Sequence, residues 1–267
     1  MHLNTEYFEE LWLSDDQKKE PTVEFWDFRA EDYNLSSSTD DAQLKRTEKV
    51  QSLLDKGIIS AESRVLDIGC GSGQFAVELA KKTKKVVGLD FSEKMLSYAS
   101  QNAAAAGLKN TVFIHTDWDS FLSAEPFDLV IASMSPAIHK PDHLYKMIDC
   151  SRGYCYLSSF VERHSSLKEE LYRLTDQSYV RQFNKLNYIF NLLWTKAMFP
   201  ELTYETGIHK RVFPLAKAKE IYARELSVLE NPDQSSRIVQ YLEEIAENEV
   251  IIESLKQRKG ELIWSCR

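Results

Sequence analysis

The chain has 267 residues, 43% of them hydrophobic and 28% charged, with a formal net charge of −8. That length can bury the core of one large domain, or of a domain with an appendage, and the composition is that of an ordinary globular protein. The negative balance argues against a nucleic-acid substrate, since phosphate binding needs a basic surface that releases counterions.

No apolar run is long enough to cross a membrane, so no membrane partner is expected. The opening Met-His-Leu-Asn-Thr-Glu-Tyr lacks the basic and apolar regions of a secretory signal. Cys70, Cys150, Cys155 and Cys266 show no zinc-type spacing. No metal is expected, and a reducing, cytoplasmic setting is. Cys150 and Cys155 read as small core residues.

In chain order, residues 1–40 carry Tyr7, Phe8, Trp12, Phe25, Trp26, Phe28 and Tyr33. That is too aromatic for a free tail, and one or two short helices capping a cleft are expected. Residues 42–56 read as an amphipathic helix through Leu44, Val50, Leu53 and Leu54, closed by Gly57. Arg64–Ile68 is an apolar, β-branched buried strand. Gly69, Gly71 and Gly73 then free the backbone for a sharp turn that a ligand can touch. A helix over 74–82, a second buried strand over 86–89 and a helix over 92–106 ended by Gly107 follow.

Strands over Thr111–His115, 128–132 and 154–161, with a helix over 143–150, continue the alternation. This predicts a mostly parallel sheet with helices on both faces. Residues 162–199 break the rhythm with helices over Ser166–Leu174 and 180–199. The second is so apolar that it should form a lid or a dimer face. A strand over 202–213, helices over 215–226 and 235–256, and a last strand over 261–266 bring the count to seven strands. The expected organisation is a cap segment over 1–40, a core over 41–161, a lid over 162–199 and the rest of the sheet over 200–267. The cluster Lys81, Lys82, Lys84 and Lys85 reads as a solvated helix end.

The turn after the first strand carries the chemistry. Its spacing is G-x-G-x-G, not the G-x-G-x-x-G of dinucleotide enzymes. Asp67 stands two residues before the first glycine. A carboxylate there would repel a pyrophosphate but attract the ammonium of an amino-acid moiety, which favours S-adenosylmethionine (SAM) over NAD. Asp90 ends the second strand, where open parallel sheets bind ligands, and a carboxylate can accept both hydrogen bonds of a ribose diol.

From Val65 to about Val161 the chain resembles the class I SAM-dependent methyltransferases, especially the small-molecule branch that includes quinone-biosynthesis enzymes. Val-Leu-Asp-Ile-Gly-Cys-Gly-Ser-Gly at 65–73 and Val-Gly-Leu-Asp-Phe-Ser-Glu-Lys-Met-Leu at 87–96 carry the resemblance. It implies that Asp67, Gly69, Cys70, Gly71 and Gly73 hold the methionine part of SAM. It further implies that Asp90 binds the ribose and that Phe91 and Met95 line the adenine pocket. His-Thr-Asp-Trp at 115–118 adds Asp117 and Trp118 on the adenine side. Phe-Asp-Leu-Val-Ile-Ala-Ser at 127–133 places Ser133 beside the methyl donor. The aromatic segment at 25–33 makes Tyr33 a candidate to approach the cofactor.

Ser135-Pro-Ala-Ile138 partly resembles the signature of amino-group methyltransferases but lacks its second proline and its aromatic. His139, just beyond, is a candidate base or substrate contact, because imidazole titrates near neutrality. The expected activity is methyl transfer to a small molecule by a monomer or homodimer. Methylation of a protein or RNA, and a non-catalytic SAM-binding regulator, are the alternatives; a nicotinamide oxidoreductase is disfavoured by the glycine spacing and Asp67.

Overall fold

The computed structural model describes residues 4–15 and 22–267. Residues 1–3 and 16–21, which carry parts of the expected 1–40 cap, lie outside the described residues. The strands are β1 (Arg64–Ile68), β2 (Lys85–Asp90), β3 (Thr111–His115), β4 (Phe127–Ser133), β5 (Ser151–His164), β6 (Glu201–Pro214) and β7 (Val250–Ser265). They form a seven-stranded sheet in the order β3-β2-β1-β4-β5-β7-β6.

The central strands pair in parallel: Val65 faces Val86 of β2 and Leu129 of β4, and Val130 faces Cys155 of β5. Val65, Leu66, Leu129 and Val130 are fully buried. Such strands, apolar on both faces, exist only where helices cover both sides. β7 runs the other way. As the β6 residues rise from Thr203 through Thr206 to Arg211, their β7 partners fall from Glu261 through Arg258 to Glu253. The seven strands and mostly parallel sheet are as expected, and the antiparallel last strand is what the resemblance to class I methyltransferases, with their Rossmann-like sheet, implies.

The helices are α1 (Thr5–Ser14), α2 (Val23–Ser37), α3 (Asp40–Asp55), α4 (Gln74–Ala80), α5 (Glu93–Ala105), α6 (Pro141–Asp149), α7 (Ser166–Leu174), α8 (Lys185–Thr195), α9 (Leu215–Glu225) and α10 (Pro232–Ile245). Two compact units emerge. The first holds residues 1–159, 185–203 and 261–267. Its core joins Val50 and Leu53 of α3, Leu79 of α4, Val86 of β2 and Ile131 of β4. In this unit α1 lies against α8: Trp12 stacks on Tyr188 with ring centroids 6.2 Å apart, and Thr5 hydrogen-bonds Thr195 at 2.9 Å.

The second unit holds residues 160–184 and 204–260. Its α10 packs against α9 and α7. Leu171, Ile221, Ile238, Leu242 and Leu255 are fully or almost fully buried there. Among them sits a charged pair, Lys168 with Glu225. Burial opposes the charge on both. The cations Lys168 and Arg163 nevertheless hold the Glu225 carboxyl down at about 2.

Two expected helices are shorter in the structure. The one predicted over 235–256 ends at Ile245, because Asn248 and Glu249 adopt positive φ of 53° and 59° and break it. From Val250 the chain is strand. Ile251, Glu253 and Leu255 are buried and Ile252, Ser254 and Lys256 exposed, a period of two that the apolar run at 250–252 disguised. The helix predicted over 180–199 is confined to Lys185–Thr195. Before it, Phe183 N–H donates to Val161 at 2.9 Å and Arg163 N–H to Arg181 at 2.7 Å; after it, Ala197 has φ 58°.

Removing one partner of a buried ion pair strands the other, at roughly 3 kcal/mol or more. Lys168→Met is therefore expected to lower the denaturant midpoint markedly, and an unchanged midpoint would contradict it. Since Glu225 titrates below its ordinary 4.5, its stabilising contribution is complete above that pH and disappears as the pH falls toward 2. The variant should lack this acid-side loss.

Candidate functional site

The turn after β1 is set by close approach. Gly69 has φ +66°, and a Cβ on it would lie 2.1 Å from Ser135 Oγ, so the post-β4 loop rests on the glycine itself. Gly73, at φ +72°, would put a Cβ 2.7 Å from Ala99 Cβ of α5. Larger residues at either position would combine backbone strain with a clash.

Backbone amides tie this turn to the end of β2. Cys70 N–H donates to Leu89 O at 2.8 Å, and Gly71 N–H donates to Asp90 Oδ2 at 2.8 Å. Asp90 Oδ1 accepts from Ser92 N–H at 2.9 Å. Ser92 is the N-cap of α5, accepting from Met95 N–H at 3.1 Å, and its hydroxyl donates to Asp27 of α2 at 2.6 Å.

Two carboxylates are thus buried at the carboxyl ends of neighbouring strands. Asp90 is held in place by the two amides. Burial raises its carboxyl above the usual value, while the Ser92 and Gly71 N–H groups work against that rise. Asp67 is 2% exposed, and its Oδ2 has no hydrogen-bond partner among the described residues. Burial, with the Asp90 charge beside it, pushes Asp67 up to about 7. Burial and the same two carboxylates also push the Cys70 thiol well up, which leaves this cysteine an inert part of the loop.

Helix α2 lies over the turn. A Cβ on Gly71 would meet the Tyr33 ring at 3.3 Å, so the tyrosine crosses the middle of the loop. Burial of its hydroxyl end, then Asp67 and Asp90, raise the Tyr33 phenol, which keeps it a proton donor. The helix is fastened by polar contacts that the sequence reading missed. Asn102 of α5 donates to Asn34 Oδ1 at 2.9 Å and to Ser72 O at 2.8 Å. Gln74 donates to Ser38 at 2.8 Å, and Arg46 of α3 reaches Ser37 O at 2.7 Å. The available signal was the mostly polar run Asn34–Ser38 at the end of an aromatic helix, with Asn102 just ahead of four alanines.

The remaining expected residues fall into three groups. Met95 is buried near Gly71, and Phe91, half-buried, follows Asp90. Trp118 is 4% exposed, donates to His143 O at 3.2 Å and stacks on Phe121. Asp117 is exposed and accepts from Ser120 N–H at 2.6 Å. Ser133 lies 3.2 Å from Ser158, whose hydroxyl also takes Met134 N–H at 3.0 Å. His139 is exposed, its Nδ1 3.3 Å from Pro136 O.

His143, to which no role was assigned from sequence, is the anchor of the post-β4 segment. Its Nδ1 lies 2.7 Å from Ala137 O, its Nε2 2.8 Å from Asp119, and its ring 4.4 Å from that of His139. Burial pulls it below the ordinary histidine value, against the Asp119 hydrogen bond.

The strand order reverses between β1 and β4, and the glycine turn and both buried carboxylates sit at the carboxyl ends of β1 and β2. Open α/β sheets bind their ligands at such a reversal of strand order. A family of methyltransferase domains matches residues 59–207. A protein of Haemophilus influenzae described as uncharacterized is 30% identical over 221 residues, 80% of each chain. A 23S rRNA (uracil(1939)-C(5))-methyltransferase of a Shewanella strain is 45% identical over 64 residues, but these cover 24% of this chain and only 14% of that enzyme. Among solved structures, coclaurine N-methyltransferase bound to N-methylheliamine and SAH is similar in fold, with TM-score 0.51 and 14% identity, over 97% of this chain and 85% of its own. The chain belongs to the methyltransferase-domain family, the class I enzymes that use SAM.

The unpartnered Asp67 oxygen and the backbone-lined turn fit the ammonium end of that cofactor. Because its folded value is raised, Asp67 favours the fold most below its unfolded value of 3.8, and that contribution is lost as the pH climbs through about 7. Asp67→Asn is therefore expected to raise the melting temperature of the ligand-free protein at pH 8 while weakening SAM binding. A variant less stable than wild type at that pH would contradict the reading.

Proposed function

We propose that the protein transfers the methyl group of SAM to a small-molecule acceptor, with the turn at 69–73 and the carboxylates Asp67 and Asp90 holding the cofactor. The carrying observation is Asp67: a buried carboxylate beside the glycine turn, with one oxygen that has no partner among the described residues. When bound, SAM supplies a methyl group on a positively charged sulfur, ready for in-line displacement.

The chain's own residues then have the tasks of binding, orienting and excluding water. Asp67 would take the ammonium, directly or through water. Asp90 already accepts one N–H on each oxygen, and each oxygen keeps a second lone pair for a ribose hydroxyl. Phe91, Met95, Asp117 and Trp118 would border the adenine. Ser133 would stand beside the donor, held by Ser158. Tyr33 would cover the loop as a hydrogen-bond donor. His139, exposed, could pass a proton to solvent.

A small acceptor is supported by the net charge of −8 and by the aromatic flanks, where Trp194 is 54% and Phe199 65% exposed. These two side chains, with α8, are the place for an acceptor cover or a contact between two copies. The same reading carries a cytoplasmic enzyme, monomeric or dimeric. The local likeness to an rRNA methyltransferase favours RNA as the second reading.

Two measurements bear on this. Calorimetry with S-adenosylhomocysteine should show binding that Asp90→Ala weakens at least about tenfold, the cost of one or more charge-assisted hydrogen bonds; wild-type affinity in the variant would remove Asp90 from the site. Wild-type binding should also tighten as the pH rises through about 7, with the slope flattened in Asp67→Asn. Transfer of labelled methyl groups to a small-molecule extract, set against total RNA, decides the acceptor. Label in RNA alone would overturn the small-molecule reading.

A further inference from the structure

Two of the four cysteines meet in the first unit. Cys155 is in β5, fully buried, and faces Val130 of β4 in the sheet. Cys266 follows the end of β7 and is half-buried. Its backbone N–H donates to Gly153 O at 2.9 Å, and the next residue, Arg267, donates to Arg152 O at 3.1 Å. The two strands therefore hold the cysteines side by side, with Sγ atoms 3.4 Å apart. Cys150, just before β5, is close enough to Cys155 to act on its charge. None of these residues takes part in the proposed cofactor site.

We propose that Cys155 and Cys266 form an oxidation-sensitive pair, which a hydroperoxide converts to a disulfide clamping the end of β7 to β5. The step balances as follows. The Cys266 thiolate attacks one peroxide oxygen, giving a sulfenic acid and an alcohol, or water from hydrogen peroxide. The Cys155 sulfur then attacks Cys266 Sγ, the S–S bond forms, and the hydroxyl leaves as water with the proton of Cys155. Two thiols are oxidised and one peroxide bond is reduced.

The division of labour follows from the surroundings. The Cys155 sulfur beside it draws the Cys266 thiol below its ordinary value, and Cys266 is the half-buried member. Burial and the neighbouring sulfur push the Cys155 thiol well up, as expected of a resolving thiol and not an attacking one. Cys70 and Cys150 are both pushed up by burial, so Cys266 is the thiol to react first. The sulfurs need approach only from 3.4 Å to a bond length of about 2.05 Å. Cys155 also donates to Met147 O at 3.5 Å, a contact that the disulfide would release.

The test is a thiol count on the full chain. A few equivalents of hydrogen peroxide should remove two of the four thiols titratable after denaturation. Peptide mapping should give one cross-linked pair holding Cys155 and Cys266, lighter by two hydrogens. The melting temperature should rise by several degrees and return with reductant, because the bond closes a long loop in the unfolded chain. Cys266→Ser should leave Cys155 reduced at the same dose. In Cys155→Ala, a sulfenic-acid trap should label Cys266. Four intact thiols, a bond through Cys150, or a bond between two chains in the wild-type protein would each overturn the proposal, whether or not either variant folds.

Discussion

The first unit depends on the carboxylate of Asp90. One oxygen takes the Gly71 amide and the other takes the Ser92 amide, so a single side chain at the end of β2 fastens the turn after β1 and the start of α5. The group is almost fully buried, and a buried carboxylate is tolerable only when its oxygens are satisfied. Those two amides satisfy it while leaving room on each oxygen for a ligand. The loop shape and the start of α5 therefore rest on one group.

Asp67 is the complement. It carries the same charge at the end of the neighbouring strand but has an oxygen without a partner and titrates near 7. The fold thus keeps a destabilising carboxylate beside the glycine turn. This is the familiar exchange of stability for function, visible here in one residue. Placing a second negative charge beside it strengthens the effect, and both act on the phenol of Tyr33 above the turn.

The cap is built from contacts of a different sort. Helix α2 is joined to the turn and to α5 through Asn34, Ser37, Ser72 and Asn102, short polar side chains bridging three elements. The post-β4 segment is likewise held from outside itself, with Ser135 against Gly69 and His143 between Ala137 and Asp119. Apart from the His143 contact with Ala137, these join residues far apart in sequence, so their spacing carries no periodic mark. Trp118 is likewise fastened by a distant residue, its indole N–H donating to His143 O.

By itself the sequence determined the features that need only neighbouring residues. The β-branched run into Gly69, Gly71 and Gly73 dictates a strand and a sharp turn, and the strand ends carry the acids Asp67 and Asp90. These follow from local sterics and from the two-residue period of a strand. Tertiary structure alone decided which Asp oxygen stays unpaired, which helix covers the turn, and that Cys155 and Cys266 meet. It also decided that 250–256 is strand, because an apolar run that short is compatible with helix or sheet until Asn248 and Glu249 take positive φ and β6 supplies the pairing. The physical reason is common to all of these: they depend on which distant surface buries a group, and that is settled only when the chain packs.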